Sequence, residues 1–284
     1  MITIKQKWNN YLVKHLRFSI FDVAIAGIFL ALFLIIEFIS KTTITGRWAL
    51  SFEIGFYILF GIVLGPFKGV FLSLISDTFS LLIFGRIGFW MIEYAIVPPF
   101  ITLVAWIFFK IYLSKHKFKI FLPHITLFIT VIIFYSFFIP FASNPSLVNR
   151  VEKREEISIW TIYIIATSFF IFSFIFILVN FLLFNKYKKQ YLLNLIYIFS
   201  IIVLIMIVVR WLWNPYAFIV YYNRFITRGS QRTVQAYYVY YLIPAILKSI
   251  IIIPIYTIAL STILPAIFHL NKKYTSYRKH KYKK

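Results

Sequence analysis

Apolar residues in this chain run in long unbroken stretches separated by short polar breaks. Eight such segments stand out, at 19–40, 50–64, 66–83, 91–113, 120–141, 157–184, 191–213 and 241–268. A hydrocarbon core about 30 Å thick takes roughly 20 helical residues, so most of these segments are long enough to cross a bilayer. The runs are continuous and do not alternate, which predicts helices and excludes the strand pattern of a membrane barrel. The short second segment meets the third at Leu64-Gly65-Pro66. There Gly closes one helix and Pro opens the next, which predicts a tight helical hairpin over 50–83. The run from Ser19 is too long for the apolar core of a signal peptide and reads as the first span. The expected fold is all-α: a polytopic transmembrane helical bundle of about eight spans, forming a single integral membrane domain over 1–284.

Composition strengthens this picture. Of 284 residues, 62% are hydrophobic and 13% charged, against about 45–50% and about 25% in soluble domains. A soluble globular fold is therefore excluded. The 30 basic residues outweigh 8 acids, for a net charge of +22. They lie in short runs between apolar stretches, such as Lys115, Lys117 and Lys119, or at the termini. That is the arrangement of membrane loops and not of a nucleic-acid-binding face, so no nucleic-acid partner is expected. With both termini cytoplasmic, 19 Lys and Arg residues fall inside and 10 outside. This bias predicts a multi-pass protein of the cell membrane with both ends in the cytoplasm. The inner set is almost all Lys, whereas the outer set is mostly Arg. Arg offers a planar fork that suits carboxylate or phosphate. For Arg150, Lys153 and Arg154, lipid headgroups or the neighbouring Glu152, Glu155 and Glu156 are sufficient partners. For Arg47, Arg86 and the set Arg224, Arg228 and Arg232, recognition of an anionic ligand is the expectation.

Five of the eight acids fall within or at the edge of spans: Asp22, Glu37, Glu53, Asp77 and Glu93. Ionisable groups in a bilayer are costly and usually face a protein interior or a polar cavity. At 1.5 Å per residue, Glu37 lies about 5 Å below the outer edge, and Asp77 and Lys248 about 10 Å below it. Two readings remain open. The outer half of the bundle holds a polar cavity, or it holds ion pairs such as Asp77 with Lys248 that only join helices. Asp22, near the basic residue Arg17, reads as structural. The segment 214–240 is expected to be a long polar loop, either a binding lid or an aromatic belt at the interface that includes Tyr237, Tyr238, Tyr240 and Tyr241. The chain has no cysteine, and its five histidines show no ligand spacing. No metalloprotease, serine-hydrolase or nucleotide-hydrolase motif is present. No cofactor, metal or catalytic residue is expected.

Several motifs occur in a suggestive order. The first span carries Ala24, Gly27 and Ala31, small residues whose spacing lets another helix approach closely in lipid. Arg47-Trp48-Ala49-Leu50-Ser51-Phe52-Glu53-Ile54-Gly55 follows, then a G-x-x-x-G-P-x-x-G core from Gly61 to Gly69, then Ser76-Asp77. Near the other end, Leu247-Lys248-Ser249 precedes Pro254. In these features the chain resembles the substrate-binding subunit (S component) of energy-coupling factor (ECF) vitamin transporters, and 47–77 looks most like folate-type members. The resemblance implies a six-helix S-component-like core made of 19–113 and 191–268, with 120–184 as an inserted helix pair. It implies a non-enzymatic binder that captures a water-soluble vitamin at the outer face. Its partners would be a transmembrane coupling subunit, met by Ala24, Gly27 and Ala31, and two cytoplasmic ATPase subunits. The expected substrate-binding residues are Arg47, Trp48, Glu53, Asp77, Arg86, Trp90, Tyr94, Arg224, Arg228 and Lys248. An anionic, folate-like ligand would meet the arginines with its carboxylates and an aromatic side chain with its flat ring. The alternative is a multi-pass membrane enzyme acting on lipid or a lipid-linked substrate, with Glu53 and Glu93 as its acid–base pair.

Overall fold

The computed structural model describes residues 18–43, 52–114, 120–143, 159–227, 229 and 231–281. Among these the chain is all-helical, with no strand. Seven helices are long and apolar enough to cross a membrane. The protein is thus a membrane-embedded helical bundle. It divides into two compact units, Met1–Leu113 and Ser114–Lys284.

The first unit contains α1 (Ile20–Thr43), α2 (Glu53–Ile83), the short α3 (Ile92–Ala95) and α4 (Val97–Tyr112). Residues Ile87–Phe89 form a 3-10 turn ahead of α3. The expected hairpin lies within α2. Gly65 has φ 84° and ψ −171°, a conformation open essentially to glycine alone, and Pro66 begins the second arm. The reversal is sharp. A Cβ placed on Gly69 would lie 2.6 Å from the Phe60 carbonyl oxygen, whereas nine residues of straight helix rise about 13 Å. The two apolar segments 50–64 and 66–83 are therefore one element folded back on itself, which is why eight segments become seven long helices. The first arm covers 53–64 and rises only about 18 Å, less than the bilayer core.

Close packing holds the hairpin against α4. A Cβ on Gly61 would overlap the Thr102 carbonyl oxygen, and one on Gly69 would come within 3.0 Å of Thr102 Cγ2. The Thr102 hydroxyl donates to the Tyr57 carbonyl at 3.2 Å. Helices in lipid gain little from hydrophobic burial and associate through such close contact. On the other side, α1 inserts Phe33, which is 1% exposed, edge-on to Phe56 at 5.5 Å and beside Tyr57 at 5.8 Å.

The second unit contains α5 (Leu122–Ala142), α6 (Ile159–Tyr187), α7 (Gln190–Ile205), α8 (Asn214–Tyr221) and α9 (Val234–Lys281). Helix α7 is central and packs against α5, α6 and α9. Every residue from Ile196 to Val203 on it is buried. The pair over 120–184 is therefore packed directly on 191–213 in one unit. The expectation of a loop over 214–240 needs correction. Helix continues from α7 through a π-helical segment Met206–Trp213, α8, and a second π segment Tyr222–Ile226. Pro215 does not stop it, because it sits in the first turn of α8, where its missing N–H is tolerated. Carbonyls in the wide π turns are met from α9: the Tyr238 hydroxyl donates to the Trp211 and Leu212 carbonyls at 3.0 and 2.9 Å. Tyr238 is fully buried, so it is an internal strut and no part of an interfacial belt.

Candidate ligand site at one end of the first unit

Two charged clusters mark the two ends of α1. At its start, Ser19 and Asp22 cap the helix reciprocally. The Ser19 backbone N–H and hydroxyl donate to Asp22 Oδ2 at 2.9 and 2.8 Å, and the Asp22 N–H donates to Ser19 Oγ at 3.2 Å. This is the capping-box arrangement with Asp in place of Glu. Lys68, three residues past the α2 reversal, closes the cluster with an ion pair to Asp22 Oδ2 at 2.6 Å. One acid meets one base, as expected for a structural role.

The other end is different. Lys41 pairs with Glu37 one turn below it. Its ammonium also lies 3.3 Å from Ser80 Oγ and 3.9 Å from Glu53 Oε1, and 4.5 Å above the Phe84 ring. Ser80 in turn donates to Glu37 Oε1 at 2.7 Å. Glu53 and Ser80 would stand about 40 Å apart on a straight helix. The hairpin brings both to a single ammonium. Tyr57 and Asp77 lie nearby, and the Tyr57 hydroxyl donates a hydrogen bond to the Asp77 carboxylate.

Among the described residues Glu37, Glu53 and Asp77 thus lie near Lys41, and not every polar atom of Glu37 is satisfied. Glu37 is 6% exposed and Tyr57 2% exposed. Glu37 Oε2 is buried with no hydrogen-bond partner among the described residues. Burying a polar atom without a partner costs about 1–3 kcal/mol, so this oxygen calls for an explanation. The cluster is open at one side, where the Lys41 and Glu53 side chains are 34% and 30% exposed.

Of the expected site residues, Glu53 and Asp77 meet in this cluster. Arg86 and Trp90 are exposed in the segment between α2 and α3, and Tyr94 is half-buried on α3. Arg47, Trp48 and Arg228 lie outside the described residues, as do Arg17, Lys115 to Lys119 and the group from Arg150 to Glu156. Arg224 and Lys248 belong to the second unit, whose described residues include no Asp or Glu. Arg232, also expected to meet an anion, is engaged in a structural clasp. Its backbone N–H donates to Asn223 Oδ1 and its carbonyl accepts from Asn223 Nδ2, both at 2.8 Å. Its guanidinium stacks 3.3 Å from the Tyr222 ring centre and bonds the Tyr241 hydroxyl.

Sequence reasoning overlooked Lys41, Tyr57 and Ser80 as members of the cluster, and Lys68 as the partner of Asp22. The signal for three of them was present. Lys41 and Tyr57 follow Glu37 and Glu53 by four residues, and Ser80 follows Asp77 by three, the spacings at which helical side chains meet. Comparison of the chain with known protein families, curated proteins and solved structures finds no match.

Proposed function

We propose that this chain is the substrate-capturing membrane subunit of an importer of the energy-coupling-factor type. It takes a water-soluble vitamin from the outer face and docks on a transmembrane coupling subunit driven by two cytoplasmic ATPases. The observation that carries this reading is the cluster around Glu37, Tyr57 and Asp77. Its charged groups and the unsatisfied Glu37 oxygen sit in the membrane-embedded unit, reachable from one end, in the manner of a site built to receive a polar solute. The Lys-rich loops, if cytoplasmic, turn that end outward.

A second observation favours docking. Ala24, Gly27 and Ala31 all lie on the exposed face of α1, and a Cβ on Gly27 would meet nothing within 4 Å. Gly27 is therefore not required by packing within the chain, and a small residue there leaves room for a helix of another protein. The folate-type reading of the ligand rests on the outer arginines, of which Arg86 stands exposed beside Trp90.

Purification of the tagged chain from native membranes tests the proposal. The expected result is co-purification of one membrane partner and two ATPases, with ATP-dependent uptake of a vitamin in the reconstituted complex. A chain that purifies alone, or that turns over a lipid by itself, contradicts it. In the complex, Gly27→Leu is expected to leave ligand binding intact while abolishing uptake.

A further inference from the structure

We propose that Lys248 on α9 pairs with a carboxylate, an Asp or Glu carried at membrane depth by a transmembrane helix of a partner protein. This adds a second contact to the importer reading above, apart from the α1 face, and rests on that reading for the origin of the partner. Four observations lead to it. The first is depth. Lys248 lies inside the apolar span Val234–Ile267 of α9. It stands about 10 Å along the helix from Tyr241 and about 28 Å from Ile267. Tyr241 marks a polar level, because its hydroxyl meets the Arg232 guanidinium. A lysine stem covers about one helical turn, about 5 Å, which is half of the shorter distance.

The second observation is the missing counter-charge. Lys248 has no hydrogen-bond, ion-pair or ring partner among the described residues. Between Tyr241 and Tyr256 the other polar side chain on α9 is Ser249, and its hydroxyl is already used. It accepts from the Trp211 indole N–H at 2.9 Å and donates to the Ala245 carbonyl at 2.7 Å. The described residues of this unit include no Asp or Glu, and Glu152, Glu155 and Glu156 fall in sequence between α5 and α6, outside the spanning helices. An ammonium at this depth is costly and is met by an opposite charge or a polar cavity.

The third observation is the surface around the lysine. Lys248 is half-buried, and Pro244, Leu247 and Ile251 beside it on α9 are exposed. Further along the same side, at spacings of whole helical turns, Ala259 and Ala266 are exposed as well. Small residues on an open face of a span let another helix come close in lipid. Lys248 thus stands on a face that a second helix can cover, with one charge set in an otherwise apolar surround.

The fourth observation concerns which anion can reach it. A lipid phosphate stays at the headgroup level, beyond the reach of the lysine stem. A water-soluble anion would have to pass the exposed Leu247 and Ile251 side chains through hydrocarbon, where a free charge is costly. A transmembrane helix brings its backbone hydrogen bonds already made and delivers a carboxylate at the required depth. Each charge then offsets the other's cost of burial, and neither chain alone holds both.

The test uses the tagged full chain purified from native membranes. Lys248→Met should lower the yield of the co-purifying membrane partner at least tenfold, whereas Lys248→Arg, which keeps the charge, should retain it. The thermal midpoint of the Lys248→Met chain alone in detergent should not fall below that of the wild type, because no partner within the described chain is lost. A photoreactive p-benzoylphenylalanine at Leu247 should cross-link to the partner, and mass spectrometry should place the link in an apolar segment that carries Asp or Glu. Retention of the partner by Lys248→Met overturns the proposal and leaves the importer reading in place. A lower thermal midpoint of the Lys248→Met chain also overturns it, since the lysine is then an internal fastening. Cross-links to lipid alone, or to a segment without an acid, overturn it too. A wild-type chain that purifies with no membrane partner strikes the importer reading, and this pairing with it.

Discussion

The two ends of α1 carry similar residues in opposite states. At the Asp22 end, one acid, one base and one capping serine satisfy each other. At the Lys41 end, three acids lie near one base among the described residues, and a carboxylate oxygen of Glu37 has no hydrogen-bond partner there. Both ends rely on the same device, the α2 reversal, which places Lys68 beside Asp22 and brings Glu53 and Ser80 to Lys41. A membrane protein can use a buried charge as a fastening or as a receptor. What separates the two here is whether every polar atom has found a partner among the described residues.

The comparison can be broken in several ways. The largest effect is expected from Gly61→Ala, whose new methyl would overlap the Thr102 carbonyl oxygen. Backbone cannot give way as a flexible side chain does, so the hairpin should lose about 3 kcal/mol. Both ends should come apart together, visible as a collapse of the unfolding transition in detergent. Lys68→Met should cost about 1–2 kcal/mol by leaving Asp22 without its ion pair. The double variant Asp22→Asn with Lys68→Met should recover part of that loss in the same assay. At the other end the order reverses. Asp77→Asn removes one of the clustered carboxylates, so stability should hold within about 0.5 kcal/mol or rise, while capture of the co-purifying ligand is lost. A loss of stability equal to that of Lys68→Met would make the second cluster another fastening. The smallest effect is expected from Gly27→Ala. The site is open and alanine is the better helix former by up to about 1 kcal/mol, so thermal stability should rise slightly.

Much of the fold was legible because apolar run length and the Gly65-Pro66 pair are local signals. Segment 214–240 was misread because its polar and aromatic residues resemble a loop. The wide π turns that carry helix through it depend on Tyr238, which is distant in sequence. The site was half legible. Glu37, Glu53 and Asp77 stood out as charges in apolar runs, but the identity of their partners depended on the direction of the hairpin and on which face of α1 meets it. The arginines were less legible for a similar reason. Nothing local in the sequence distinguishes Arg232, which is held by Tyr222, Tyr241 and Asn223, from arginines that stay exposed, such as Arg86.

The most direct measurement is mass spectrometry of small molecules that co-purify with the wild-type chain and with the Glu37→Gln, Asp77→Asn double variant. The account predicts a water-soluble, vitamin-sized compound, present with the wild type and absent from an equally well-folded variant. A compound retained by both, or only lipid in either, would contradict it.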